Sequence, residues 1–221
     1  MRDPRHHGYR LAYKILNAIA RIPGMARWMA CPRVQALREA VLAGYVAGLP
    51  DRRYWESDIM PALLGAGLER VLFVGCGSYT RHVPAAFEAR GIACWTTDIA
   101  AGNAAWGNPH RHIVCDIADI ADHVPAAHFD AVLFNGVLGF GVTVRLMETI
   151  APVLHSILRP PGFLLIGWNR GLVEDPCTLV CITRLFSHGC TLGLPEHQEF
   201  PASTHVFDWF MKIASTADRP S

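Results

Sequence analysis

The chain has 221 residues, of which 51% are hydrophobic and 18% are charged, and its formal net charge is +1. This composition excludes a disordered chain and predicts one domain with a full core. A charge so close to balance gives no reason to expect nucleic acid as a partner, and no apolar run reaches the ~20 residues that would predict stable insertion in a membrane.

Two helical patterns come first along the chain. Residues 9–22 carry apolar side chains at helical spacing up to Pro23, and residues 33–48 do the same up to Gly48. Both helices are expected to pack on the rest of the fold; a lid over a substrate pocket, a homodimer contact and a membrane-surface helix are the alternatives. We therefore predict a helical extension over residues 1–50 and one domain over residues 51–221.

From residue 70 onward, short apolar runs alternate with helical patterns. The predicted strands are residues 70–75, 92–98, 111–116, 129–135, 162–169 and 205–214. The predicted helices are residues 80–90 and 142–158, and residues 176–187 are compatible with a further helix. Alternation of this kind predicts an α/β fold with a parallel sheet covered on both faces.

The segment "VLFVGCGSYT", residues 71–80, joins the first strand to a helix through Gly75 and Gly77. A glycine turn at this place forms a notch where backbone N–H groups meet a ligand closely. Asp98 follows Gly77 by 21 residues and ends the next strand. A carboxylate there is well placed to accept hydrogen bonds from both hydroxyls of a ribose.

Other strands also end in polar residues. Asp116, Asn135 and Asn169 follow the third, fourth and fifth strands. Each of them taken singly is an ordinary loop or cap residue. Their order on successive strands, after the glycine turn and Asp98, instead predicts a ligand site at the carboxyl edge of the sheet.

Together these segments resemble the class I S-adenosylmethionine-dependent methyltransferases over about residues 50–214. The matching segments are "VLFVGCGSYT", "CWTTDI", "VCDIAD", "HFDAVLFNGVLGF" and "LRPPGFLLIGWN". The resemblance implies a three-layer, Rossmann-like fold with a mostly parallel seven-stranded sheet, S-adenosylmethionine as cofactor, and methyl transfer. A nicotinamide dehydrogenase would instead carry G-x-G-x-x-G, and Thr80 stands at the last of those positions.

The resemblance also implies cofactor contacts along the carboxyl edge. The implied contacts are Gly75, Cys76 and Gly77 at the methionine part and ribose, Asp98 at the ribose hydroxyls, Ile99, Asp116 and Ile117 at the adenine, and Asn135 and Gly136 under the methyl group. Tyr54, Tyr79 and Thr80 are further candidates. Two positions depart from the family pattern, because Phe73 replaces a frequent acid and Tyr79 replaces a third glycine.

No general base stands out from the sequence. The candidates are His82, which follows the glycine turn, and His188 and His205, which lie in the tail that often closes over the acceptor in this family. Histidine is a suitable residue type because its pKa lies near neutrality.

The seven cysteines predict free thiols in a reducing cytosol and hence a cytoplasmic protein, because their number is odd and no secretory signal precedes them. Cys177, Cys181, His188 and Cys190 could be considered as metal ligands, but no CxxC pair or HxxxH accompanies them. No metal site is predicted.

The acceptor is expected to be a small molecule. The fourth strand ends in "FNGVLGFG" rather than in N-P-P-Y, and no basic, aromatic-rich stripe indicates nucleic acid. Our hypothesis is O- or N-methylation of a small, fairly apolar metabolite in a biosynthetic pathway. The alternatives are a protein that uses the cofactor for a cyclisation or elimination, and a non-catalytic binding or scaffold protein.

Overall fold

The computed structural model describes residues 4–214. Its first part is a helical layer of α1 (Pro4–Ala20), α2 (Ala26–Met29) and α3 (Pro32–Ala47). Helices α1 and α3 approach closely, because a Cβ at Gly44 would lie 2.6 Å from the ring of Tyr9. The two predicted helices are confirmed, and α1 begins before the predicted residue 9. The domain boundary near residue 50 and a homodimer contact through these helices stay predictions.

A helical segment that the sequence did not predict joins this layer to the sheet. It consists of α4 (Pro50–Tyr54), a π-helical turn (Trp55–Ile59) and α5 (Met60–Leu64). Trp55 is 1% exposed and packs edge-on against Phe73, with 6.0 Å between the ring centroids. Phe73 is itself 1% exposed and belongs to the core, which explains an aromatic residue at this position.

The sheet contains eight strands among the described residues. They are β1 (Arg70–Val74), β2 (Ala93–Asp98), β3 (His112–Val114), β4 (Phe129–Asn135), β5 (Leu158–Asn169), β6 (Phe186–His188), β7 (His197–Phe200) and β8 (Ser203–Lys212). The order is β3-β2-β1-β4-β5-β8-β6, with β7 also paired to β8. Strands β1 to β5 are parallel, whereas β8 runs antiparallel to β5, β6 and β7.

The carboxyl-terminal part differs in detail from the prediction of seven strands. Strands β6 and β7 pair one after the other along the same edge of β8, so two short strands share the seventh position. The helix considered over residues 176–187 is reduced to α8 (Val180–Thr183), because Phe186 and the residues after it pair with β8 instead. Strand pairing outweighs local helical periodicity here.

Helices cover both faces of the sheet. Two further helices are α6 (Val83–Glu88) and α7 (Val144–Ile157). Helix α6 is shorter than the helix predicted over residues 80–90, and α7 is close to the helix predicted over residues 142–158. One buried cluster packs α7 and α8 on one face, and a second cluster packs the segment from Trp55 to Leu63 and α6 on the other. The three-layer, Rossmann-like α/β prediction is confirmed. Within residues 4–214, no helix has both the length and the apolar character needed to cross a membrane.

Candidate functional site

The glycine turn after β1 is compact and internally bonded. Gly75 has a φ of +83°, which favours glycine, and a Cβ there would lie 2.8 Å from Val137. The N–H of Gly75 donates to the carbonyl of Thr97 at 2.9 Å, and the N–H of Gly77 donates to the hydroxyl of Thr80 at 3.0 Å. The turn therefore brings bare backbone close to the carboxyl edge, but these donors are already used within the protein.

Asp98 fixes the turn to the end of β2. Its Oδ2 accepts from the N–H of Cys76 at 2.8 Å and from the side chain of Asn103 at 3.1 Å. Its Oδ1 accepts from the N–H of Ala100 at 2.8 Å. The carboxylate is thus held in a defined orientation beside the glycine turn, as a group that recognises a ligand must be.

A first cavity, here called the Asp98 cavity, encloses about 100 Å³ at this place. Its acids are Asp98 and Asp116, and Asp116 begins a 3₁₀ turn by accepting from the N–H of Ala118 at 3.0 Å. The remaining lining is largely apolar: Val74, Gly75, Thr97, Ile99, Cys115, Ile117, Val137, Gly141, Val142 and Leu146. Two acids at the rim of an apolar slot suit a planar ring joined to a hydroxylated sugar.

A larger cavity of about 690 Å³, here called the His205 cavity, lies between the helical layer and the carboxyl edge. Its walls come from α1, α3 and α4, from the glycine turn, and from the ends of β4, β5 and β8. Among its lining residues are Tyr13, Tyr45, Asp51, Arg52, Trp55, Gly75, Tyr79, Thr80, Asn135, Gly136, Phe140, Asn169 and His205. Gly75 lines both cavities, so both spaces border the glycine turn.

A buried cation lines the His205 cavity. Arg52 is only 7% exposed, and its Nη2 donates to the carbonyl of Tyr79 at 2.9 Å and pairs with Glu56 at 2.8 Å. Burial lowers the pKa of Arg52, and the Glu56 carboxylate acts in the opposite direction. The residue stays a cation, because the ordinary pKa of arginine is far above neutrality.

Two residues that line this cavity each have a buried side-chain atom with no hydrogen-bond partner among the described residues. The atoms are Oδ1 of Asp51 and Nε1 of Trp55. Buried polar atoms are nearly always paired, so these two are exceptions in the wall of the cavity. Asp51 and Arg52 are missed by sequence reasoning; the only signal was the segment "DRRYWESD" before the first strand.

His205 is the one candidate base that lines this cavity. Its Nε2 lies 3.0 Å from Oδ1 of Asn135, and the residue is 9% exposed. Burial lowers the pKa of His205, Arg52 lowers it too, and Asp51 acts in the opposite direction. His205 is therefore neutral near pH 7 and can accept a proton.

The other two candidate bases lie elsewhere. His82 is paired with Glu56 at 3.1 Å on the outer side of the glycine turn and does not line the cavity. His188 lies on the opposite face of the sheet, against Asp208.

Most of the predicted cofactor contacts line one of the two cavities, and three do not. Gly75, Tyr79, Thr80, Asp98, Ile99, Asp116, Ile117, Asn135 and Gly136 line one or both. Cys76 and Gly77 belong to the turn but line neither cavity. Tyr54 packs against Phe200 and Phe207, with centroids at 5.6 and 6.2 Å, and also lines neither.

Comparison with solved structures identifies the fold. The chain is similar to the N-methyltransferase NodS of Bradyrhizobium japonicum WM9 in complex with S-adenosyl-l-homocysteine, at 16% identity and a TM-score of 0.55, covering 91% of this chain and 98% of that one. It is also similar to the 1,6-didemethyltoxoflavin-N1-methyltransferase of Burkholderia thailandensis, at 20% identity and a TM-score of 0.53, covering 84% and 92%. The chain thus has the class I methyltransferase fold.

Sequence comparison finds a relative of low sequence identity. The chain is 24% identical over 180 residues to a probable non-canonical nonribosomal peptide synthetase of Salinispora arenicola, covering 76% of this chain. The chain spans only 2% of the length of that protein. No protein-family model matches the chain.

Proposed function

We propose that this chain is an S-adenosylmethionine-dependent methyltransferase that acts on a small, fairly apolar metabolite. The observation that carries the proposal is that two cavities border Gly75, on the carboxyl edge of a sheet with the class I methyltransferase fold. In open α/β sheets this edge is where ligands bind. One cavity has room for part of a nucleoside, and the other has room for an acceptor.

The residues of the Asp98 cavity fit the nucleoside part of the cofactor. Asp98 presents a carboxylate to the two ribose hydroxyls, and Asp116 presents one to the exocyclic amine of adenine. Ile99, Ile117 and Val137 supply apolar contact to the faces of the base. Loss of Asp98 would remove both a ligand contact and the support of the glycine turn.

The polar groups of the His205 cavity fit the methionine part. Arg52 supplies a cation for the carboxylate, and the carboxylate of Asp51 supplies an acceptor for the ammonium group. Asp51 would thereby take over the task of the acid that is absent at Phe73. The bound cofactor supplies a methyl group already activated on a positively charged sulfur.

His205 is proposed as the group that receives the acceptor's proton. Asn135 Oδ1 accepts a hydrogen bond from the Nε2–H of His205, which leaves the lone pair on Nδ1. Aromatic side chains around the cavity, including Tyr13, Tyr45 and Phe140, would exclude water and pack on an apolar acceptor. The helices α1 and α3 then act as a cover over the acceptor.

The comparisons support the same reaction class. Two similar folds belong to N-methyltransferases, and one of those structures holds bound 1,6-didemethyltoxoflavin together with S-adenosylhomocysteine. The peptide synthetase relative supports a place in biosynthesis. O-methylation and N-methylation are both compatible with a neutral histidine base, and a cytoplasmic location stays a prediction.

The test is calorimetric titration of the parent and of Asp98→Ala with S-adenosylmethionine and S-adenosylhomocysteine. We expect micromolar binding that Asp98→Ala weakens by more than ~1.4 kcal/mol, a factor of ten. Asp119→Ala is the matched control, because Asp119 is an exposed acid outside both cavities. No binding by the parent would overturn the proposal and favour a scaffold role. Binding without S-adenosylhomocysteine formation across an acceptor panel would favour a cyclisation or elimination.

A further inference from the structure

A second cluster of reactive side chains lies on the other face of the sheet, away from the His205 cavity. Along β8, His205 and Phe207 face one way and Asp208 faces the other, beside Val206 and Phe210 of the opposite core cluster. Asp208 has no exposed surface. A buried carboxylate needs strong partners, because transfer of a charge from water to a protein interior is costly.

Three side chains from three separate segments converge on one oxygen of Asp208. His188 Nε2 lies 2.9 Å from Oδ1, His197 Nδ1 lies 2.7 Å from it, and Cys177 Sγ lies 3.6 Å from it. The ligand atoms of Cys177, His188 and Asp208 all lie within 4.8 Å of one another. Three potential metal ligands thus surround one small volume, and His197 Nδ1, which touches the same oxygen of Asp208, lies outside that mutually close group.

The neighbours of these residues orient them toward that volume. Trp168 Nε1 donates to the other oxygen of Asp208 at 2.6 Å, which turns Oδ1 toward the histidines and the thiol. Glu199 lies 3.3 Å from the second ring nitrogen of His197. A carboxylate behind a histidine, and a donor behind a carboxylate, are the supports that metal ligands commonly have in proteins.

From this arrangement we infer that Cys177 Sγ, His188 Nε2 and Asp208 Oδ1 form a zinc site, with His197 Nδ1 as the fourth ligand once its ring has turned toward the ion. One thiolate, two imidazoles and one carboxylate are a ligand set that zinc accepts in tetrahedral geometry, whereas magnesium and calcium prefer oxygen ligands. The observed N–O distances of 2.9 and 2.7 Å are shorter than the ~3.3 Å edge expected of a tetrahedron with ~2.0 Å zinc bonds, so both rings must move away from Asp208. A small outward movement of the two rings would therefore admit the ion.

The site would be structural, because four protein ligands leave no open position for a substrate. It would join the segment before α8 to β6, β7 and β8, in the region where two short strands share one position of the sheet. The side chains of His188 and His197 are 26% and 36% exposed, which gives the ion a path from solvent.

The coordination step has a simple proton balance. Without zinc, hydrogens on Cys177, His188 and His197 can bridge to Asp208 Oδ1. On binding, each neutral imidazole keeps its one proton on the nitrogen that does not face the metal, and the thiol gives its proton to solvent. At least one proton is thus released for each zinc bound.

Cobalt provides a direct test on the whole chain after chelator treatment. We expect one equivalent of Co²⁺ to bind, with the visible absorption of a tetrahedral site and a near-ultraviolet thiolate-to-cobalt charge-transfer band, and Zn²⁺ to displace it. Mg²⁺ should not compete. A parent protein that takes up no cobalt, or gives no charge-transfer band, would overturn the inference and leave a hydrogen-bonded cluster around Asp208.

Variants assign the ligands. Cys177→Ser should abolish the charge-transfer band, whereas Cys181→Ser and Cys190→Ser, which alter thiols outside the cluster, should keep it. Zinc should raise the melting temperature of the parent and of both controls, with little effect on Cys177→Ser. A band that survives Cys177→Ser would contradict the assignment. Because neither readout requires S-adenosylmethionine, failure here would leave the methyltransferase proposal intact, and the converse also holds.

Discussion

The side chains of His205 and Asn135 are in contact, although a third strand lies between the two strands that carry them. Their side chains lie 3.0 Å apart, yet His205 belongs to β8 and Asn135 to β4, and β5 runs between these strands. The residue of β5 opposite Asn135 is Gly167. Because glycine has no side chain, the histidine and the amide can join above the sheet, at the edge that faces the larger cavity.

Gly167→Ala should break this contact. An added Cβ would overlap Asn135 Oδ1 and lie 2.8 Å from His205 Nε2. We expect a loss of about 1–3 kcal/mol in the free energy of unfolding, because overpacking forces neighbouring groups aside. Urea denaturation of the parent, Gly167→Ala and the control Gly102→Ala would measure this loss. A Cβ at Gly102 meets no atom within 4 Å, so an equal effect of both substitutions would contradict the steric explanation.

The pKa of His205 should lie below the ordinary value of 6.5 when measured by NMR in the folded protein, because burial disfavours its charged form. The stability that follows from this shift is present above pH 6.5. It is lost as the pH falls toward the folded-state pKa, since the unfolded chain binds the proton more readily. His205→Gln should remove that part of the pH dependence. A pKa at or above 6.5 in the parent would contradict the proposed environment.

The same residue should control turnover rather than cofactor affinity. Once an acceptor is found by screening small phenols and amines, we expect His205→Gln to lower kcat by about 10²–10⁴-fold, the range typical of a general base. Calorimetry should show S-adenosylhomocysteine binding within a few-fold of the parent. His82→Gln is the matched control, because His82 contacts Glu56 outside the cavity. Equal losses in both variants would remove His205 from the proposed role.

Asp51 and Arg52 should recognise only the amino-acid end of the cofactor. Asp51→Asn and Arg52→Met should each weaken S-adenosylhomocysteine binding by tenfold or more, since each removes one partner of a charge-assisted hydrogen bond. Neither should alter the binding of 5′-methylthioadenosine, which lacks the carboxylate and the ammonium group. Asp98→Ala, by contrast, should weaken both ligands. If both ligands lost affinity equally in Arg52→Met, the role of Arg52 would instead be to hold the glycine turn through the carbonyl of Tyr79.

Much of this protein follows from local sequence alone. Apolar runs that alternate with helical patterns indicated the α/β fold, because buried parallel strands must be apolar and must be joined by helices. The glycine turn and Asp98 indicated the ligand edge, since parallel strands deliver their last residues to one side of a sheet. The structure places both of them beside a cavity, as that reasoning expected.

Other features depended on tertiary structure, because no local pattern specifies which distant residues become neighbours. The antiparallel return of β8 beside β5 brings His205 to Asn135 on one face and Asp208 to Cys177, His188 and His197 on the other. Helix α4 places Asp51 and Arg52 in the wall of the His205 cavity, beside the glycine turn. The sequence alone shows that these acids, cations and histidines are present. The sheet order and the alternation of side chains along β8 decide which of them come into contact.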